Sequence, residues 1–592
     1  MMTALDIRTR ILDAVSKNGG HLASSLGAVE LALALAETFD PEKDRIVWDV
    51  GHQAYAWKIL TGRADRFNTL RKLGGISGFP NPAESRADAA VAGHAGVAIS
   101  VAEGLAAART ARGGDEWVVA VVGDAALSNG TSLEALNNCV TAGGKIIVIL
   151  NDNEMSISKP TGALSRHLGR LIAGRRYNRV KAAVKAVEKA FGVSFLNKPI
   201  RRIKAFVKRM LIGHAYFEQM GLRYMGPVDG HDVAAIKTAL EVAKRDRRSV
   251  LLHVVTVKGR GYAPAVKDPE KWHGVGAFTI AASPDDGLSS APVEKKKTWS
   301  DVFGEAICAA AEKDARIVAL TAAMKDGTGL TEFAAKFPKR FKDVGISEGH
   351  MVAYAAGLAA GGMRPVVAVY STFLQRAVDQ IMHDVCIAKL PVVFCVDRAG
   401  VVGADGVTHQ GVFDIALLRA LPNLTICQPK DAADLKALLD EALVREGPTV
   451  IRYPRGVAGH SPALAASVPA FPIGSADRAA PGQPKYAIWA TGDWYGKACD
   501  VAARVGGVAV HARYLKPFDA ALLQRQRAAG LTIVSLENGS VAGGFGEAIG
   551  ADVKFGWPDE FIPHGAPAEL ERKYGLDAET ITEVLTHGNG TR

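Results

Sequence analysis

The stretch 121-VVGDAALSNG-130 runs from an apolar segment into a turn of small residues, and 28 residues after Gly123 a second apolar segment reaches Asn151, in 149-ILNDNEMSIS-158. Continuous Val/Ile/Leu runs without polar alternation are the pattern of parallel strands covered on both faces. In open α/β sheets, ligands sit beyond the carboxyl ends of the strands. If these two strands are neighbours, Asp124 and Asn153 lie just past their ends and converge. A carboxylate and an amide carbonyl are hard oxygen ligands, suited to Mg²⁺ and not to soft metals. The helix that opens at 130-GTSLEALNN offers N–H groups and a positive end to a phosphate. The spacing therefore fits a Mg²⁺-diphosphate clamp. Ordinary strand-end turns, which Gly, Asp and Asn favour, are the alternative reading.

The surrounding chain agrees with an α/β protein. Its 592 residues suffice for three to five domains, and 48% hydrophobic with 22% charged residues is a soluble, globular composition. No apolar run reaches 18 residues, so no membrane span is expected. The opening segment, MMTALDIRTRILDAVSKNGG, reads as an amphipathic helix and not as a signal peptide, which gives a cytoplasmic expectation. The cysteines at 139, 308, 386, 395, 427 and 499 form no CxxC pair and read as buried free thiols. The net charge of +10 is uneven. Arg166–Arg209 holds fourteen Lys/Arg and one Glu, and subtracting that +13 from the total leaves −3. Few aromatics and no base-reading module argue against nucleic acid, and a solvated, mobile cover that attracts anionic small molecules is the reading preferred.

Three blocks follow from the strand and linker pattern. The first, 1–285, carries strands at 44-DRIVWDV, 117-WVVAVVG, 145-KIIVIL and 249-SVLLHVVTV, with helices such as 97-VAISVAEGLAAARTA between them. A Ser/Pro/Lys-rich linker, 283-SPDDGLSSAPVEKKKT, precedes a second block, 298–460, with strands at 316-RIVALTA, 364-RPVVAVY, 391-PVVFCVD, 423-NLTICQP and 449-TVIRYP. The third block, 475–592, has strands at 485-KYAIWATG, 508-VAVHARY and 531-LTIVSLE. The fold expected is three doubly wound, mainly parallel-sheet domains.

The GD…NDN pair resembles the thiamine diphosphate fingerprint, and the chain as a whole resembles the 1-deoxy-D-xylulose 5-phosphate synthases of the transketolase superfamily. The resemblance rests on 20-GHLASSLGAVEL, 48-WDVGHQAYAWKILTGR, 149-ILNDNEMSIS, 226-GPVDGHD, 257-VKGRGYAPAVKDPEKWHG, 370-YSTFLQRAVDQ, 397-DRAGVVGADGVTHQG, 452-RYPRG and 543-GGFGEA. It implies decarboxylation of pyruvate and carboligation to D-glyceraldehyde 3-phosphate, using thiamine diphosphate and Mg²⁺. The product feeds non-mevalonate isoprenoid synthesis and, in many bacteria, thiamine and pyridoxal synthesis. A homodimer is implied, with the third block contributing to its interface. The first two blocks each resemble one half of a thiamine-binding pair, and the basic segment 166–209 falls where the family has a mobile stretch.

Site roles follow from the resemblance residue by residue. Asp124, Asn153 and the Met155 carbonyl match the metal ligands, with Gly123 and Ala125 beside the diphosphate. Ala125 replaces the family's second glycine. Glu348 matches the carboxyl that hydrogen bonds the aminopyrimidine ring, with a solvated helix residue as the alternative. His21, His52, His273 and His409 match histidines for proton transfer and charge stabilisation, and His52 and His94 also fall on the cofactor side. Phe373 matches a ring near the aminopyrimidine, or else is core. Arg398 and Arg455 match phosphate-binding arginines, with a surface ion pair as the alternative for Arg455. Tyr370 and Arg376 match the lining of that pocket, while Asp405 and His409 match groups that bind substrate hydroxyls. The chain departs from the family at Ala56-Trp57 (usually Pro-His), Ala95-Gly96 (usually two hydroxyl residues) and Gly349 (often Gln). These departures motivate one alternative, a paralogous carboligase or transketolase-like enzyme with another donor or acceptor. The basic segment motivates a non-catalytic, nucleic-acid-binding protein, against which the retained Glu348 and metal pair argue.

Overall fold

The structure, a computed structural model, describes residues 2–139, 141, 143–153, 215–280, 296–459, 476–478 and 484–588. The basic segment 166–209, Met155 and most of the linker 283–298 lie outside the described residues. The chain divides into two compact units, Met1–Leu70 with Gly75–Leu288, and Arg71–Gly74 with Ser289–Arg592.

The first unit is built on five strands: β1 (Arg45–Trp48), β2 (Val118–Gly123), β3 (Ile147–Asp152), β4 (Arg223–Asp229) and β5 (Val250–Val255). All pair in parallel, in the order β1-β2-β3-β5-β4. The pleat sends Val119, Val121, Ile147, Ile149, Leu252 and Val254 into one core. Ile7, Ile11 and Val15 of the helix Ala4–Asn18 join that core, and the helix starts with a Thr3/Asp6 capping box. Val118, Ala120 and Val122 point the other way and are equally buried, so β2 reads as an unbroken apolar run. The sequence pattern overlooks β4, because RYMGPVD holds a Gly-Pro pair that looks like a turn. Its edge position tolerates the missing N–H.

The second unit holds two sheets. One contains β6 (Ile317–Thr321), β7 (Phe341–Asp343), β8 (Arg364–Tyr370), β9 (Val393–Asp397), β10 (Thr425–Cys427) and β11 (Thr449–Arg452). The other contains β12 (Ala476–Arg478), β13 (Tyr486–Thr491), β14 (Val508–Ala512), β16 (Thr532–Ser540) and β17 (Val553–Trp557), in the order β12-β14-β13-β16-β17. The expected single strand 508-VAVHARY is instead split. Residues Tyr514–Lys516 form β15, which crosses to the first of these sheets and pairs antiparallel with β10. That sheet therefore runs β15-β10-β11-β9-β8-β6-β7, parallel except at β15. Arg513, between the two halves, is buried with Nε 2.7 Å from Asp434 and Nη1 2.8 Å from Glu441, which fixes the crossing.

Five cysteines are buried and Cys499 is half-buried; all six are free thiols. Among the described residues no helix is long and apolar enough to cross a membrane.

Candidate active site

In the first unit, β2 and β3 are neighbours and Gly123 pairs with Asn151. The strand ends therefore place Asp124 and Asn153 at one sheet edge. Asp124 is the first residue of the short helix Asp124–Leu127, and its carboxyl is buried. Burial, then the neighbouring Asp152 charge, pushes its pKa up to about 8. Two close carboxyl groups in a dry place form a site that a cation would stabilise.

The NDN run is anchored from below. Asn151 Nδ2 donates to Gln53 Oε1 at 2.6 Å, and Thr256 Oγ1 donates to Asn151 Oδ1 at 2.6 Å. Asp152 lies 2.9 Å from His253 Nε2, and His253 Nδ1 is 2.6 Å from the Tyr224 hydroxyl. Of the three residues, Asn151 and Asp152 are thus taken up in buried structure, and Asn153, half-buried, follows the strand end. Ala125 is helical and has no positive φ, so the glycine it replaces is not required by the backbone.

Three histidine rings gather in the same unit. His21 and His52 are 6.1 Å apart between centroids, His21 and His273 5.6 Å, and His52 and His273 5.3 Å. A backbone bridge between Gly20 and Val275 brings the first and last of these loops together. Burial, followed by neighbouring positive charge, holds His52 and His273 well below the usual histidine range, so both rings are neutral at pH 7. His52 Nδ1 is buried with no hydrogen-bond partner among the described residues. Lys258, buried after β5, is pushed down to about 8 by burial, while the Asp124 carboxylate opposes that shift. Lys258 lies in the run 257-VKGRGYAPAVKDPEKWHG, where a single lysine carries no signal of its own.

His94 is half-buried in the loop before the helix Ala98–Arg112. That loop is pinned by Asp49, whose carboxylate accepts the N–H groups of Gly96 (2.9 and 2.8 Å), Val97 (3.0 Å) and Ala98 (3.0 Å). Ala56 and Trp57, a departure from the family pattern that could bear on substrate handling, are core residues. Both are fully buried, and the Trp57 indole donates to the Ala87 carbonyl at 3.2 Å. An apolar ring with one satisfied N–H needs no ligand to explain it.

In the second unit, Glu348 opens the helix Glu348–Ala360. It is 3% exposed, and its Oε2 has no hydrogen-bond partner among the described residues. Burial raises its pKa, with Arg376 opposing from 3.9 Å. Arg376 thus stands against Glu348. A Cβ on Gly349 would lie 3.1 Å from Gln380 Oε1, so a longer side chain there must displace the glutamine amide.

The strand ends of β8 and β9 meet where Tyr370 pairs with Asp397. The Arg398 guanidinium lies 3.8 Å from the Tyr370 ring centroid. Phe373 stacks on Tyr370 at 5.9 Å and meets the His409 ring edge-on at 5.6 Å. A Gly400–Gly411 bridge closes the loop that carries Asp405 and His409. Asp405 is ion-paired with Arg71 at 2.6 Å, a residue with no sequence signal that the chain lends to this unit. The Arg455 guanidinium is held below its ordinary range by burial of its head and by Arg398; Asp405 opposes this and Arg71 adds to it. Arg71, Arg398 and Arg455 outnumber the two carboxyl groups beside them, Asp397 and Asp405, and the excess of positive charge is a setting for a phosphate.

Comparison with known proteins gives the same reading over the whole chain. A family model described as 1-deoxy-D-xylulose-5-phosphate synthase matches residues 1–256, and one described as transketolase, pyrimidine binding domain, matches residues 295–459. A 1-deoxy-D-xylulose-5-phosphate synthase of Desulforudis audaxviator is 46% identical over 600 residues, covering 98% of this chain and 93% of its own. Those of Paraburkholderia xenovorans and Nitratidesulfovibrio vulgaris are 45% and 46% identical, with the same coverage of 98% and 93%. The chain belongs to the 1-deoxy-D-xylulose-5-phosphate synthase family.

Proposed function

We propose that this enzyme joins pyruvate to D-glyceraldehyde 3-phosphate, releasing CO₂ and forming 1-deoxy-D-xylulose 5-phosphate. The observation that supports the reading is the pairing of β2 with β3, because buried Asp124 and half-buried Asn153 follow directly from the carboxyl ends of these neighbouring strands. The donor set fits a Mg²⁺-diphosphate: a carboxylate, an amide carbonyl and, by the family match, the Met155 carbonyl. The orphaned, buried Oε2 of Glu348 fits an aminopyrimidine nitrogen. Thiamine diphosphate, when bound, supplies the nucleophilic carbon that takes up the pyruvate ketone and accepts the electrons released with CO₂.

The chain's own groups do the rest. Asp124, Asn153 and Met155 hold the metal, with Gly123, Ala125 and His94 beside the diphosphate. Glu348 holds or returns a proton at a ring nitrogen, and Phe373 packs near that ring. His21 and the neutral rings of His52 and His273 accept and return protons, with Lys258 offsetting negative charge. Arg398 and Arg455 bind the aldehyde's phosphate alongside Tyr370, and Arg376 orients Glu348. Asp405 and His409 bind substrate hydroxyls, with Arg71 ion-paired to Asp405. The family resemblance adds a cytoplasmic homodimer to this reading, testable by sedimentation.

The deciding experiment supplies purified protein with Mg²⁺, thiamine diphosphate, pyruvate and glyceraldehyde 3-phosphate, beside a Glu348→Ala control. Mass spectrometry should find deoxyxylulose phosphate in the first and none in the second. Pyruvate consumed without that product would move the acceptor assignment elsewhere. Equal turnover of unphosphorylated aldehydes would refute the roles given to Arg398 and Arg455.

A further inference from the structure

The run 226-GPVDGHD belongs to the family pattern, yet it holds none of the groups assigned above. It closes β4, where Asp229 pairs with Val255 of β5. A Cβ on Gly230 would lie 2.4 Å from Thr256 Cγ2 and 2.6 Å from the Val255 carbonyl oxygen, so glycine is what lets the next residue come this close. That residue is His231, whose N–H donates to Asp229 Oδ1 at 2.9 Å. The Val257 N–H donates to His231 Nε2 at 2.8 Å. An accepting Nε2 leaves the ring proton on Nδ1, which donates to Glu30 Oε2 at 3.1 Å. Glu30, on the helix Val29–Thr38, also takes both terminal nitrogens of Arg8, at 2.8 and 2.7 Å. Burial works to raise the Glu30 pKa, but the hydrogen bonds from His231 and Arg8 prevail and hold it down to about 2.

Arg8 Nε donates in turn to the Arg260 carbonyl at 2.9 Å. The turn after β5 is therefore gripped at both ends, by His231 at Val257 and by Arg8 at Arg260. Its middle rests on the helix Leu22–Gly27. The Gly259 N–H donates to the Ala23 carbonyl at 2.8 Å, and a Cβ on Gly27 would lie 2.9 Å from the Val257 carbonyl oxygen and 3.3 Å from Lys258 Cα. Between the two grips stands Lys258, on which the Asp124 carboxylate acts. We infer that His231 is a positioning residue for Lys258, holding the turn through the Val257 N–H with Glu30 and Arg8 as its anchor. The inference rests on reading Lys258 as a group that offsets negative charge at the Asp124 end.

The test is calorimetric binding of thiamine diphosphate with Mg²⁺ to the full chain freed of cofactor, beside its thermal midpoint. Glutamine sets an oxygen near the place of Nε2, and asparagine a nitrogen near that of Nδ1. His231→Gln therefore keeps an acceptor for the Val257 N–H, while His231→Asn keeps only the donor to Glu30. His231→Asn should weaken binding about fivefold or more, and His231→Gln should retain most of the native affinity. Lys258→Met should weaken binding by itself, and His231→Asn should cost little more in that background. A merely structural histidine would instead weaken binding by the same factor in both backgrounds. Glu30→Gln should give a smaller loss, also absent beside Lys258→Met, and keeps the test decisive if His231→Asn does not fold. Equal losses for His231→Gln and His231→Asn, or a loss undiminished beside Lys258→Met, would overturn the inference. Native-like binding by Lys258→Met would overturn the role of Lys258 beneath it.

Discussion

Glu348 is a carboxyl in a place that opposes its charge. Burial raises its pKa and one guanidinium at 3.9 Å only partly compensates. A group poised in this way can share a proton with a ring nitrogen, which a glutamine cannot do. Glu348→Gln should lower kcat by about 10²- to 10⁴-fold, with the cofactor dissociation constant changed far less; a binding loss equal to the rate loss would reduce Glu348 to a cofactor anchor. Asp124 gives a second prediction. With its carboxyl pushed up to about 8, it is mostly protonated at pH 7 in the apoprotein. Coordination to a divalent cation demands the ionised form. Loading at pH 7 should therefore release close to one proton, and affinity should rise with pH until about 8. Calorimetry in two buffers of different ionisation enthalpy measures that number, and zero release would place the metal elsewhere. Of these features the sequence displayed the residue types and spacing. Arg71 was invisible in it, because a loop arginine looks alike whether or not it lines a site.

At the scale of single elements, the continuous apolar runs located most of the strands. It missed β4, β7, β12 and β17, which include the outermost strands of their sheets. Edge strands need fewer apolar positions and tolerate Gly and Pro, so their pattern fades into loop. The helix-turn around Trp57 shows the opposite failure, a family departure that looked functional and is packing. Trp57→Ala should destabilise the first unit by about 3–5 kcal/mol, visible as a lowered thermal midpoint. Substrate preference, measured as the ratio of kcat/KM for phosphorylated and unphosphorylated aldehydes, should stay unchanged. A shifted ratio at native stability would return Trp57 to the substrate site.

At the scale of the whole molecule, the second unit buries acids as well as apolar groups. Glu537 is fully buried and accepts the N–H groups of Phe545 (2.6 Å) and Gly546 (2.8 Å), yet burial pushes its pKa up to about 7. Asp397 and Asp493 are each pushed up to about 6 by the same cause. A carboxyl whose folded pKa exceeds its unfolded value binds more protons when folded, so stability falls as pH rises between the two. For Glu537 that window runs from 4.5 to about 7. Glu537→Gln has no such proton to lose. Its stability relative to the native chain should rise by on the order of 2 kcal/mol from pH 5 to pH 8, read from urea midpoints at the two pH values. A difference independent of pH would mean that the carboxylate is better solvated than its burial indicates. The amino-acid sequence by itself determined the α/β class, most of the strands and the chemical identity of nearly every proposed site residue. Apolar periodicity and residue type are local properties, and here they agree along the chain. Only the tertiary structure decided that β15 leaves its neighbours for another sheet, that Arg71 meets Asp405, and that His231 meets Glu30. Those outcomes depend on which buried charges find partners and which volumes remain open once the strands have packed, and no local pattern encodes either.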